Sequence, residues 1–247
     1  MKGCCQSNQQ NENVTLENYV ACEICAMNPV CQPLKVNDSI LSLADDYLNK
    51  RIFIQSGDVL FDKSEPTSAI YAVCTGTFKL SQELNGKEKV VGFRFPGELL
   101  GEDALFAKQY NYQVTAITDG AICEVSVDKL MSYSELVPNL QYSLMELLGK
   151  QHLFNYQTFQ SLVAKHSAES LLAAFLLNIT ERCKAHYGTD TSINLPMSRD
   201  SIANFLGLRR ETLSRLFSKF QKEGLIRVSA KKIELLAKNK LQQLANL

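Results

Sequence analysis

Three cysteines fall within the ten residues 22–31, "CEICAMNPVC", as Cys22, Cys25 and Cys31 in the spacing C-x2-C-x5-C. Thiols crowded in this way have three available fates: a disulfide, a metal site, or service as small apolar side chains. A second group of chemically capable residues lies near the other end, in "GLRRETLSRLF" at 207–217. There Arg210, Glu211, Ser214 and Arg215 share the start of a helical repeat whose other face is apolar. Arginine suits the O6 and N7 acceptors of guanine, and glutamate accepts from the N4 amine of cytosine.

The elements that must position these groups follow from periodicity. From Arg51 to about Leu130, short runs rich in branched and aromatic residues are broken by glycines: "RIFIQ", "AIYAVCTG", "TFKLSQEL", "EKVVGFRF", "YQVTAIT" and "AICEVSV". Asn85-Gly86 between two such runs is a hairpin signal. Six or more short strands at this spacing predict a sandwich or barrel-like roll. After Pro138 the period changes to 3.6, with Leu140, Leu144, Leu147, Phe154, Phe159 and Leu162 in a stripe. That spacing predicts one helix of about 25 residues whose stripe is a dimer seam, the alternative being that it packs against its own domain. "SAESLLAAFLLNITERC" is an amphipathic helix with Ser167 as its N-cap. A short helix, a turn at Gly207 and a second helix from Arg210 to Lys222 follow, with Leu213, Leu216, Phe217 and Phe220 as the buried face. "IRVSAKKIELL" then reads as a two-stranded wing. Helix-turn-helix followed by a wing is a DNA-binding geometry.

Composition sets limits. The 247 residues are 45% hydrophobic and carry 26 basic and 26 acidic side chains. The neutrality is uneven, with 14 Lys/Arg against 7 Asp/Glu from Lys165 onward and 12 against 19 before it. A basic C-terminal third suits a polyanion partner. The longest apolar run, "LLAAFLL" at 171–177, is far shorter than the ~20 residues of a membrane span, and the N-terminus lacks the apolar stretch of a secretory signal. The expected location is cytoplasmic, without membrane contact. A reducing compartment favours metal ligation or catalysis over disulfides for the cysteine group. Of the other thiols, Cys74 and Cys183 lie in apolar surroundings and are expected as core residues, while Cys4 and Cys5 sit in a polar tail. A dithiol redox enzyme is disfavoured, because Cys22 and Cys25 do not open a helix after a strand.

Together these features resemble the FNR (fumarate and nitrate reduction) regulators of the cyclic-AMP receptor protein superfamily. The likeness runs from about Cys22 to Leu236 and rests on C-x2-C-x5-C, "GFRFPGELLG", "AICEV" and "GLRRETLSRLF". It implies an α+β fold of five segments. These are a disordered tail (1–18), the cysteine segment (19–34), a cyclic-nucleotide-binding-like β-roll (35–135), a dimerisation helix (138–165) and a winged helix-turn-helix (166–247).

The resemblance also implies a non-enzymatic, oxygen- or redox-responsive transcription regulator, with Cys22, Cys25, Cys31 and Cys123 holding a [4Fe–4S] cluster. Zinc can use the same four thiolates, so spacing alone leaves the metal open. Implied partners are a second copy of the chain, double-stranded DNA with TTGAT-like half-sites, and RNA polymerase, for which the hairpin "ELNGKEK" at 83–89 is the candidate contact.

Four departures from the family pattern matter. Tyr112 and Gln113 stand where cyclic-AMP-binding relatives carry an Arg-Ser pair, so no cyclic nucleotide is expected, there being no arginine for its phosphate. Arg210 replaces an apolar residue of typical FNR proteins, which favours guanine at the outer base of the half-site. Arg209 takes the place of a Ser or Thr N-cap and is expected on a DNA phosphate. Finally, no acidic residue lies between Leu147 and Ala168, which predicts a persistent dimer.

Overall fold

The computed structural model describes residues 50–136, 140–163, 167–187 and 191–245. The chain divides into two compact units between Gln151 and His152.

Short runs of branched and aromatic residues build the first unit. Its strands are β1 (Lys50–Ile54), β2 (Val59–Phe61), β3 (Ala69–Thr75), β4 (Phe78–Leu84), β5 (Lys87–Arg94), β6 (Leu99–Leu100), β7 (Gln113–Ala116) and β8 (Gly120–Ser126). They form two antiparallel four-stranded sheets, in the orders β1-β8-β3-β6 and β2-β7-β4-β5. The β4–β5 hairpin turns at Asn85 (φ 54°) and Gly86 (φ 71°), two left-handed residues whose twist matches the strands. Ile70, Phe78, Leu80, Leu99, Val114 and Ile122 are buried in the shared core. Truncating the fully buried Phe78 to alanine is expected to cost about 3–5 kcal/mol.

Gly76 and Gly120 bring the end of β3 against the start of β8. A Cβ on Gly120 would lie 2.5 Å from the Thr75 carbonyl oxygen, so this close approach requires glycine.

β8 continues without a break into helix α1 (Val127–Leu136), and α2 (Leu140–Val163) is the long helix. Leu140, Leu144 and Leu147 are buried with the roll core. That corrects the expectation that they form a dimer seam, because their face of α2 is already covered within the first unit. The opposite face carries Tyr142 (72% exposed), Met145, Leu153, Tyr156 and Phe159. Of the expected seam residues, Phe159 is on this exposed face, and the side chains of Phe154 and Leu162 lie outside the described residues.

The second unit is built on α3 (Ala168–Tyr187). The Ser170 N–H donates to Ser167 Oγ at 3.1 Å, the N-cap expected from sequence. Leu172, Ala173, Leu176, Ile179 and Cys183 are buried on this helix. Strand β9 (Ser192–Asn194), helices α4 (Arg199–Leu206) and α5 (Arg210–Lys222), strands β10 (Ile226–Ser229) and β11 (Lys232–Leu235), and α6 (Lys238–Leu244) complete it. The wing has three strands rather than two, in the order β10-β11-β9. No helix among the described residues is long and apolar enough to cross a membrane.

Candidate nucleic-acid interface and thiol site

The helix-turn-helix is fixed by its caps. Ser198 Oγ accepts from the Ser201 N–H at 3.0 Å and starts α4. Gly207 (φ 69°) ends it, its N–H donating to the Ala203 and Asn204 carbonyls, as a left-handed C-cap does. α5 then begins at Arg210, and its N-cap residue Arg209 is extended and makes no side-chain capping bond. A missing cap of this kind costs about 1 kcal/mol. Leu213, Leu216, Phe217 and Phe220 are buried, as their spacing predicts. Arg209, Arg210, Glu211, Ser214 and Arg215 are all exposed at the N-terminal end of α5.

Two contacts here were not foreseen. The Arg199 guanidinium carbon lies 3.3 Å above the centre of the Phe217 ring, tying the start of α4 to α5, and burial lowers the pKa of Arg199 from its ordinary value. Arg210 Nη1 is 3.3 Å from Asp200 Oδ2, with both side chains more than half exposed. Such a surface pair contributes at most about 1 kcal/mol, so it positions Arg210 without holding it. Within the wing, Arg227 Nη1 meets Glu234 Oε2 at 2.8 Å across the β10–β11 pair.

Of the four cysteines expected to bind metal, Cys22, Cys25 and Cys31 lie outside the described residues. The fourth, Cys123, is half-buried on β8, four residues before α1 begins. Cys74, expected as a core residue, is indeed buried, but its Sγ sits 3.2 Å from Cys123 Sγ. Among the described residues no group of three or more His, Cys, Asp or Glu side chains is placed to hold a metal ion. The donor that is described is a soft thiol of the kind iron–sulfur clusters and zinc take.

The segment 92–102 folds around its own guanidinium. Arg94 Nη2 pairs with Glu102 Oε1 at 3.0 Å, and Arg94 Nε donates to the Leu99 carbonyl at 2.9 Å. Tyr112 OH donates to Glu102 Oε2 at 3.1 Å and accepts from the Gly101 N–H, also at 3.1 Å. Burial opposes the Arg94 charge, but Glu102 and Glu98 hold its pKa above the ordinary value. Burial, reinforced by the Glu102 carboxylate, pushes the Tyr112 hydroxyl well above the usual tyrosine pKa. The sequence signal for the pair was an arginine inside the otherwise apolar run "GFRF", with an acidic residue eight positions on.

A roll joined to a winged helix-turn-helix that presents an exposed, partly basic recognition helix defines a DNA-binding transcription regulator. Residues 51–135 match the cyclic nucleotide-binding domain model and residues 172–244 the Crp-like helix-turn-helix domain model. The chain is 32% identical over 224 residues to the transcriptional regulatory protein btr of Bordetella pertussis, covering 90% of this chain and 92% of that one. It is 32% identical to the fumarate and nitrate reduction regulatory protein of Yersinia pestis (92% and 90% covered) and 31% identical to the transcriptional activator anr of Pseudomonas aeruginosa (91% and 92%). In structure it is similar to FixK2 from Bradyrhizobium japonicum, with a TM-score of 0.71, 23% identity, and 79% of this chain and 96% of that one covered. The chain belongs to the FNR regulators of the cyclic-AMP receptor protein superfamily. Its relatives are transcription regulators and not enzymes.

Proposed function

We propose that the protein is an oxygen- or redox-responsive transcription regulator of the cytoplasm, in which Cys22, Cys25, Cys31 and Cys123 hold a [4Fe–4S] cluster. The observation that carries this reading is the place of Cys123, a half-buried thiol on β8, the strand that runs directly into α1. When bound, such a cluster supplies an oxidant-labile iron–sulfur core on four soft thiolates. Ligation by Cys123 ties the N-terminal cysteine segment to β8. Holding or releasing that segment then acts at the point where the chain passes from sheet to helix.

The exposed face of α2, from Tyr142 to Phe159, is the proposed contact between two copies, since single apolar residues need no explanation but a helical stripe of five does. Two copies present two α5 helices to a pseudo-palindrome of TTGAT-like half-sites. Glu211 and Arg215 read its G·C pair, Arg210 the outer base, and Arg209 a phosphate. Cyclic nucleotide is not the signal. Arg94, the buried guanidinium of the roll, already has its charge met by Glu102. The β4–β5 hairpin tip, with Leu84 53% exposed beside Glu83 and Lys87, is the proposed contact for RNA polymerase.

The test is chemical analysis of protein purified without oxygen: iron, acid-labile sulfide and zinc per chain, with the visible spectrum followed as air enters. About four irons and four sulfides, with absorption that bleaches in air, is the expected result. Stoichiometric zinc and a colourless, air-indifferent protein would overturn the cluster reading and leave the DNA-binding fold intact.

A further inference from the structure

The contact between Cys74 and Cys123 is not explained by a four-cysteine metal site. β3 and β8 are antiparallel neighbours, and their register pairs Ala72 with Cys123 and Val73 with Ile122, then passes to Thr75 with Ala121. Cys74 is thus the extra residue of a bulge. Strand alternation puts it on the face of Ala72, and so on the face of Cys123. Bulges bend a strand and re-aim a side chain, and this one sets Cys74 Sγ 3.2 Å from Cys123 Sγ. The close approach of Gly76 to Gly120 holds the two strands together just beyond it. The two thiols differ in access, since Cys74 is 4% exposed and Cys123 is half-buried.

We propose that Cys74 and Cys123 are a two-cysteine redox couple, with Cys123 the thiol that meets a peroxide and Cys74 the resolving thiol. The Cys123 thiolate attacks one peroxide oxygen, the O–O bond breaks, and hydroxide leaves and takes up the thiol's proton as water. Cys123 is then a sulfenic acid. Cys74 sulfur attacks that sulfur, the S–O bond breaks, and the oxygen departs with the Cys74 proton as a second water. Two thiols lose two electrons and one peroxide is reduced to two waters. The final S–S distance near 2.05 Å requires the sulfurs to close by only about 1.1 Å from their present 3.2 Å. The disulfide occupies the Cys123 sulfur and so removes it as a metal ligand. This last consequence rests on the cluster reading; formation of the disulfide does not.

The experiment uses full-length, metal-free, reduced protein treated with equimolar hydrogen peroxide, then alkylated and digested with trypsin without reductant. Cleavage at lysine releases residues 64–79 and 109–129, each with a single cysteine. The expected product is these two peptides joined, separating on reduction. In Cys74→Ser the link is absent and a sulfenic acid persists on Cys123, trapped by dimedone. Cys123 joined instead to Cys22, Cys25 or Cys31, or oxidised past sulfenic acid equally in both proteins, would overturn the proposal. In a second arm both proteins are offered ferrous iron and sulfide after the peroxide. The wild-type chain is expected to lose most of its uptake in proportion to the fraction of chains that carry the link, and to regain it with dithiothreitol; Cys74→Ser, whose Cys123 is held as a sulfenic acid, loses uptake without any link. Undiminished uptake by linked wild-type chains would overturn the ligand-blocking role. If neither protein takes up iron even before peroxide, the cluster reading fails, while the peptide map still decides the disulfide.

Discussion

Replacing Glu102 by alanine removes one half of the ion pair inside the roll. The Arg94 and Glu102 side chains are 8% and 16% exposed and meet at 3.0 Å, so the arginine cannot simply turn to water. Breaking such a pair from one side costs about 3–5 kcal/mol, because the remaining charge is left buried. Arg94 keeps its bond to the Leu99 carbonyl and the favourable field of Glu98, which places the loss at the lower end, about 3 kcal/mol. For a unit of this size that corresponds to a fall in Tm on the order of 10–20 °C. The chain has no tryptophan, so unfolding of the roll in urea is best followed by far-UV circular dichroism and tyrosine fluorescence. The double variant Arg94→Met, Glu102→Leu removes both charges and should recover most of the loss, since replacing a buried pair by apolar side chains is often neutral. A cost below about 1 kcal/mol for Glu102→Ala, or a double variant as unstable as the two single losses combined, would refute the reasoning.

Burial raises the pKa of Tyr112 well above its ordinary 10.0, so its contribution to stability is complete below pH 10 and is lost as pH rises through the folded value. Urea unfolding at stepped alkaline pH should show Tyr112→Phe losing stability less steeply than wild type, by up to about 1.4 kcal/mol per pH unit, and parallel slopes would contradict this. Arg215→Ala, at an exposed site, should leave Tm unchanged and weaken binding to the palindrome by about 1–3 kcal/mol, read by fluorescence anisotropy against a sequence-scrambled duplex. On size-exclusion chromatography the cluster-free protein should remain a dimer at micromolar concentration and Phe159→Glu should run as a monomer. A monomeric wild type would sink the persistent-dimer expectation.

Much of this fold is written locally. Runs of branched and aromatic residues broken by glycines mark six of the eight roll strands, Asn85-Gly86 marks the hairpin, and Gly207 and the apolar face of α5 mark the helix-turn-helix. What escaped depends on longer-range geometry. β2 and β6 are three and two residues long, too short for alternation to register. α1 follows β8 with no glycine or proline between them, so no stop signal separates strand from helix. α2 carries apolar residues on two faces, and the sequence does not say which meets the roll; Leu140, Leu144 and Leu147 do, leaving Tyr142 to Phe159 outward. The Cys74–Cys123 contact depends on a bulge that sets the register of strands 49 residues apart, and the third wing strand pairs Ser192–Asn194 with residues of β11. The exposure of Arg209, Arg210, Glu211, Ser214 and Arg215, by contrast, follows from helical spacing alone, because they lie within seven positions at one helix start.

The central claim is that a cluster on Cys22, Cys25, Cys31 and Cys123 controls DNA binding. The most direct measurement is the affinity of one anaerobic preparation for a labelled TTGAT palindrome, taken before and after air, beside Cys123→Ser at fixed salt. Air is expected to weaken wild-type binding by a factor within the roughly 5- to 150-fold range of typical coupling, toward the low end if the dimer persists, with Cys123→Ser weak and unaffected by air. Equal affinity of the wild-type protein before and after its absorption has bleached would contradict it.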